Sequence, residues 1–353
     1  MAQPAPQTQF IALAGLRGVA ALVVVQWHGQ SFLGGPLIAH GYLAVDFFFL
    51  LSGWVLAHAY DRRLQKGLSG VQFMRLRLIR LYPVYLLALL LMYAGWSIGG
   101  HSIVPGPLLA LLFLPDLLVA GSGWVIGPAW SPAAELAANI PFAFLHRGLT
   151  ARVLVITIGL ALLWLVWWAA THGSLDLGYA SGTRIGLFPR VFFAFPLGVL
   201  LYRHRAALTR WAPTWSAWPA AILLVLGLGI PSPSAATGWF DLLIVAFLLP
   251  AVLIFASRAQ PDARTTIIAT TLGTISYPLY LLHFPAFSAV DALLQALQGR
   301  DIATLPLVPG LLLVAAVLLI SWLVDRHFDQ PLRRWLSGKP PEPRVPASAS
   351  LAE

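Results

Sequence analysis

Long apolar runs, each ended by a basic or a Pro- and Gly-rich stretch, recur from one end of the chain to the other. About 20 apolar residues at 1.5 Å rise cross a hydrocarbon core about 30 Å thick, so runs of this length predict membrane-crossing helices. Spans are expected at roughly 10–28, 41–60, 81–98, one crossing within 106–146, then 152–170, 186–202, 216–230, 239–256, 269–292 and 305–326. The predicted fold is all-α: a polytopic transmembrane helical bundle of about ten spans. Region 106–146 holds two apolar stretches, 106–120 and 129–146, with Pro128, Pro132, Pro141 and Glu135 in or beside the second. Proline removes helix hydrogen bonds, and broken backbone at membrane depth is tolerated where it is buried in protein or lines a cavity. One broken or re-entrant segment is therefore expected there, with an ordinary kinked helix as the alternative.

Charge fixes the orientation. Most of the 22 basic residues fall in 61–80, 147–152, 203–210, 258–264 and the C-terminal end, and the intervening connections hold only Arg184 and Arg300. Cytoplasmic loops carry excess Lys and Arg, so both termini are expected in the cytoplasm and the number of crossings is expected to be even. The same bias accounts for the net charge of +9 without a nucleic-acid partner. Apolar residues make up 59% of the chain and charged residues 10%, which leaves no polar stretch long enough for a separate soluble domain. The absence of cysteine excludes disulfides, thiolate metal sites and cysteine nucleophiles. The N-terminus lacks the basic region of a signal peptide. The expected organisation is a cytoplasmic segment 1–9, a membrane domain 10–336 and a disordered cytoplasmic tail 337–353, rich in Pro, Ala and Ser.

Ionisable residues inside spans are costly and face a cavity or a partner. Arg17 and His28 stand eleven residues apart in the first span, about three turns, so they share one helix face about 16 Å apart. Arg17 alone reads as a snorkelling cation, and His28 alone as an interfacial residue. Asp46 lies inside the second span, followed by Ser52 and Gly53; it reads as a partner of Arg17 or His28, and Gly53 as a site of close helix packing. Arg75, Arg77 and Arg80 crowd the mouth of the third span. They read as a topology signal or as a site for a phosphate-rich ligand, because guanidinium forks match phosphate oxygens. Trp130, Ser131 and Glu135 occupy the broken segment. In the ninth span Ser276, Tyr280 and His283 form one stripe, with Tyr277 beside it. No His-x-x-x-His or Glu-x-x-His spacing points to a metal. Two histidines, two carboxylates and buried arginine suit general-base catalysis with electrostatic support.

Taken in order, these motifs resemble the acyltransferase 3 family of integral membrane O-acyltransferases, which modify bacterial surface polysaccharides, some lipids and secreted small molecules. "LAGLRGVAALVVVQWH" is similar to the family's first-span pattern, an arginine and a histidine separated by ten residues. "GYLAVDFFFLLSGWVL", "RLIRLYPVY", "WSPAAE", "ISYPLYLLHFP" and "RHFDQPLRRWL" resemble its later motifs. This chain departs from the family at Pro132, Leu136 and Asp329, where leucine, glutamate and glutamate are common.

The resemblance implies a bacterial inner-membrane enzyme with no permanently bound cofactor. It would move an acyl group, usually acetyl, from cytosolic acyl-CoA to a hydroxyl of exopolysaccharide, O-antigen or a related glycan. Its implied catalytic residues are His28 as base, Arg17, Asp46 and Glu135. Arg77, Arg80 and Tyr82 would hold the donor, and Ser52, Trp130, Ser131, Ser276, Tyr277, Tyr280 and His283 the substrates. The implied partners are the bilayer, acyl-CoA and the glycan. The competing expectation is a transporter or flippase for a lipid-linked glycan without acyl chemistry. The charge parity predicts that a topology reporter fused after residue 146 reads cytoplasmic; a periplasmic signal contradicts the ten-span order.

Overall fold

The computed structural model describes residues 6–98, 110–112, 124–209 and 216–338, and every regular element among them is helical. Helices α1 (Pro6–His28), α2 (Ala44–Gln65) and α3 (Gly70–Ile98) open the bundle. The short α4 (Trp130–Phe144) is followed by α5 (Ala151–His172), α6 (Leu187–Arg203) and a second short helix, α7 (Trp218–Gly229). Helix α8 consists of Thr237–Leu243 and Leu249–Ala256 joined by a π-helical turn, Ile244–Leu248. Helix α9 is Ala263–Gln298. Helix α10 runs over Leu307–Val324, through a π-helical turn, Asp325–Asp329, into Gln330–Leu336. Eight of these helices are long and apolar enough to cross a membrane, and α7 is a shorter apolar helix. The protein is a multi-pass helical membrane protein, and its outward leucine-rich faces, such as Leu160, Leu163 and Leu312, suit contact with lipid.

Glycine sets the closest helix approaches. Small residues let backbones touch where lipid supplies no hydrophobic drive for association. Helices α1 and α9 run parallel: a Cβ at Gly15 would lie 2.7 Å from the Cβ of Ala269, and one at Gly273 would lie 2.7 Å from that of Ala14. Helices α2 and α6 cross at Gly53 and Gly198, where a Cβ would strike the carbonyl oxygens of Phe195 and Leu50 respectively. Gly53 is thus the close-packing residue that its sequence context suggests.

The basic segments gather at one end of the bundle. Arg203, closing α6, pairs with Asp61 near the end of α2 at 2.8 Å and donates to the carbonyl of Leu149 before α5. The opposite end is tied by Asp241 of α8, which accepts from Tyr42 at 2.7 Å and from the backbone N–H of Leu175 at 2.7 Å.

Of the connection between α3 and α4, residues 110–112 and 124–129 are described. Helix α3 starts at the basic end, so Ile98 lies toward the opposite one. Residues 110–112 then lie beside the middle of α3, where Tyr82 donates to Leu111 O at 2.5 Å and Tyr85 donates to Ala110 O. By Trp124 the chain is again at the opposite end, its indole N–H on Gly178 O at 3.3 Å. It returns as a short helical turn, Gly127–Ala129, and only then as α4. At 15 residues, α4 is about 22 Å long, short of the full hydrocarbon core, and Pro141 sits inside it without ending it. Most of stretch 106–120, where part of the expected broken segment falls, and the tail beyond 338, lie outside the described residues.

Gly198→Val should destabilise the protein by about 3 kcal/mol or more, because the obstructing atom is rigid backbone rather than a side chain that can turn away. Thermal unfolding in detergent measures this, and an unchanged midpoint contradicts the crossing geometry.

Candidate active site

The α1–α9 contact positions the first functional side chain. Arg17 reaches across it, Nε donating to Ser276 Oγ at 2.9 Å and Nη2 to Gly273 O at 2.6 Å. Ser276 Oγ also donates to Gly273 O at 2.8 Å. The guanidinium is thus fixed in place rather than snorkelling, and it lines a cavity of about 310 Å³ enclosed by α1, α2, α3, α4 and α9. The wall is mostly apolar, with Leu13, Leu51, Val55 and Leu56 among its side chains. Its polar groups are Arg17, Ser52, Arg77, Arg80, Ser131, Glu135, Ser276, Tyr277 and Tyr280. Glu135 accepts from Ser52 Oγ at 2.5 Å and from Arg77. Tyr280 and Ser131 share a hydrogen bond of 2.6 Å, and Tyr280 O–H also reaches Pro128 O at 3.1 Å, at the start of the broken pass. Tyr277 donates to Leu81 O at 2.7 Å, and its ring lies under Arg80.

A second cavity, of about 360 Å³, opens at the basic end. Tyr60, Arg77, Arg80, Gln330, Arg333 and Arg334 line it, so Arg77 and Arg80 border both cavities. The π-helical turn in α10 brings Asp325 and Asp329 here: Arg333 pairs with Asp329 at 2.7 Å, and Arg80 lies 3.6 Å from Asp329. Among the described residues, Nε of Arg77 and Nη1 of Arg80 are buried without a hydrogen-bond partner, Nη1 of Arg80 having only the longer ion-pair contact with Asp329. Buried donors of this kind are costly unless something accepts from them.

His28 lies beyond the chamber, toward the opposite end. Its Nδ1 is 3.0 Å from Val24 O and 3.1 Å from Nε2 of His283. His28 is exposed, whereas His283 is fully buried. Neither lines the chamber; Tyr280 links the two regions, its ring 6.2 Å from that of His283.

Asp46 departs from expectation. It pairs not with Arg17 or His28 but with Arg190 of α6, which donates to both carboxylate oxygens at 3.1 and 2.6 Å. Arg190 also donates to Leu177 O at 2.6 Å and to Tyr42 O at 3.0 Å, with the ring of Trp130 4.8 Å away. Both charges are about 1% exposed. Asp46 and Trp130 therefore belong to a tie between α2, α4 and α6, outside the chamber. Tyr82 likewise lies outside both cavities, on Leu111 O. His28 takes its ring partner from His283, not from Asp46 or Glu135.

Sequence reading missed Arg190, although it and Arg17 are the two Arg or Lys residues that fall in predicted spans away from their end positions. It also missed the opposite-end cluster in which Asp241 accepts from Tyr42 and lies 2.6 Å from Nδ1 of His40. Beside that cluster, burial pushes the carboxyl of Asp176 up to about 6.

Buried cations and hydroxyls in a chamber inside a helical membrane bundle define a membrane protein equipped for polar group chemistry. Comparison with known proteins identifies the group transferred: the acyltransferase domain family matches residues 10–326, and the chain belongs to it. It is a membrane acyltransferase, the class that the motifs resemble. A picA-locus protein of Rhizobium radiobacter is 42% identical over 159 residues, 39% of this chain and 83% of that protein. Acyltransferase MdmB of Streptomyces mycarofaciens is 26% identical, covering 96% of this chain and 95% of its own length. The BcsY protein of Komagataeibacter xylinus is 25% identical, covering 91% and 83%. No solved structure matches the chain significantly.

Removing one member of a buried ion pair strands the other charge, at a cost of about 3–5 kcal/mol. Asp46→Ala should lower the unfolding midpoint sharply, and Asp46→Leu combined with Arg190→Met should regain most of the loss. A single variant as stable as the wild type contradicts the structural role of Asp46.

Proposed function

We propose that the protein is an acyl-CoA-dependent O-acyltransferase of the bacterial inner membrane. It has both termini in the cytoplasm and acts on a sugar hydroxyl of a surface glycan or its lipid-linked precursor. The observation that carries this reading is the pair of cavities meeting at Arg77 and Arg80: one cationic, at the end where the basic loops gather, the other mostly apolar and deep. Coenzyme A has the matching asymmetry, a phosphate-rich head and a long arm ending in a thioester. Arg77, Arg80, Arg333 and Arg334 take the phosphates, using the unpaired N–H groups of Arg77 and Arg80. The arm enters the chamber, whose volume falls at the small end of ligand pockets.

The acceptor arrives from the opposite end, where His28 is exposed. Its hydroxyl gives a proton to the imidazole as its oxygen bonds to the thioester carbonyl carbon; the C–S bond then breaks. The imidazolium gives up this proton, through water, to the departing thiolate, so the base is regenerated and the products are an ester and free coenzyme A. Arg17, held by Ser276 about three helical turns from His28, lies along the arm's path and holds the donor in the chamber. Tyr280 and Ser131 stand between the chamber and the histidines, so donor and acceptor meet at their hydroxyls.

Purified protein given radiolabelled acetyl-CoA and a crude lipid-linked glycan fraction should label the glycan. General-base removal costs about 10²–10⁴-fold, so His28→Ala should reduce labelling by that factor while the protein stays folded. Replacing Arg77 or Arg80 by Ala should raise the KM for acetyl-CoA about tenfold or more, the cost of losing one charge-assisted contact. Transfer by His28→Ala at the wild-type rate would falsify the base assignment, and an unchanged donor KM would remove the arginines from the donor site.

A further inference from the structure

We infer that His283 is the positioning residue that fixes the reactive atom of the base: it holds His28 as the Nδ1–H tautomer and leaves Nε2 bare toward the acceptor. The inference rests on the proposal that His28 is the base and adds which atom acts and what selects it.

The assignment follows from hydrogen-bond polarity. A backbone carbonyl only accepts. Nδ1 of His283 lies 3.0 Å from Leu279 O, so it carries a proton. In a neutral imidazole the other nitrogen then has none, so Nε2 of His283 is an acceptor. Its neighbour at 3.1 Å is Nδ1 of His28, which lies 3.0 Å from the carbonyl of Val24 as well. Both partners of His28 Nδ1 are acceptors, so Nδ1 is the protonated nitrogen and its N–H is shared between them. The lone pair is left on Nε2, which has no hydrogen-bond partner among the described residues. A tautomer is set by the bond that the other ring nitrogen makes.

The surroundings hold this arrangement. His283 is completely buried on the parallel α1–α9 seam, between the rings of Tyr280 at 6.2 Å and Phe287 at 5.7 Å. Phe284 meets His28 edge-on at 6.0 Å. No carboxylate is hydrogen-bonded to either imidazole among the described residues. When His28 takes the proton of the acceptor at Nε2, its Nδ1–H still donates to a neutral imidazole, so the cation is shared without a buried counter-charge. His283 thus does for His28 what a carboxylate does in a Ser-His-Asp triad. Its role is orientation, not contact with the acceptor.

The tautomer is measurable without any substrate. Full-length protein labelled with ¹⁵N-histidine in lipid nanodiscs gives ring-nitrogen spectra, and the His28 signals are those lost in His28→Gln. Wild-type protein should show a protonated Nδ1 and a bare Nε2 for His28. In His283→Leu the His28 ring should move toward the Nε2–H form. His283→Gln, which keeps an acceptor oxygen near the position of Nε2, should retain the wild-type signature. In the acetyl-labelling assay His283→Leu should lower kcat about tenfold or more with the KM for acetyl-CoA unchanged, and His283→Gln should recover much of it. A wild-type His28 protonated on Nε2 overturns the inference even if His28→Ala is inactive. An active His28→Ala overturns the base assignment even if the tautomer is as described. If His283→Leu does not fold, the wild-type spectrum and the His283→Gln rate decide the matter alone.

Discussion

Helices α1 and α9 approach so closely that Gly15, Gly18 and Gly273 leave no room for even a Cβ between them. That approach, more than any single polar contact, determines what the protein can do. Two parallel helices in register repeat their contacts along the bundle, so one seam presents Arg17 to Ser276 at one level and His28 to His283 at another. A guanidinium at membrane depth needs acceptors, and it finds them because the Gly273 carbonyl is uncovered. The imidazoles meet for the same reason. A bulkier seam would separate both pairs.

The charges elsewhere divide into two kinds. Asp46–Arg190 and the Asp241 cluster are sealed, satisfied and turned inward; they tie the opposite end of the bundle together. The arginines at the basic end are different. Arg77 and Arg80 are partly paired, keep buried N–H groups without hydrogen-bond acceptors among the described residues and border two cavities. Packing for stability alone would not leave them so. An incompletely satisfied cationic rim that leads into an apolar chamber suits an anionic head joined to a long, less polar arm.

Much of this was legible in the sequence because the membrane simplifies the reading. Apolar run length placed the eight long spans, and the sorting of basic residues matches the clustering of Asp61, Leu149 and Arg203 at one end. Pro128 and its neighbours marked the shortened α4 and the helical turn before it. Pairing was much less legible. The intramembrane position of Asp46 announced a partner, but periodicity along one helix does not say which other helix faces it, and Arg190 went unread. Tyr82 and Trp130 sit in motifs next to site residues, yet helix rotation points them elsewhere. His283 was visible as part of a polar stripe. Its role as partner of His28 depends on the register of α1 against α9, which glycine spacing permits but does not specify.

The central claim is that one ligand occupies both cavities, with its phosphates on the arginine rim and its thioester past Arg17, beside Tyr280 and Ser131. The most direct test is a structure of the full-length protein in lipid nanodiscs with a non-hydrolysable thioether analogue of acetyl-CoA. The account predicts the diphosphate within hydrogen-bonding distance of Arg77 and Arg80 and the acyl end in the chamber near Tyr280 and Ser131. An analogue bound on any other face, or both cavities empty at saturating analogue, would contradict it.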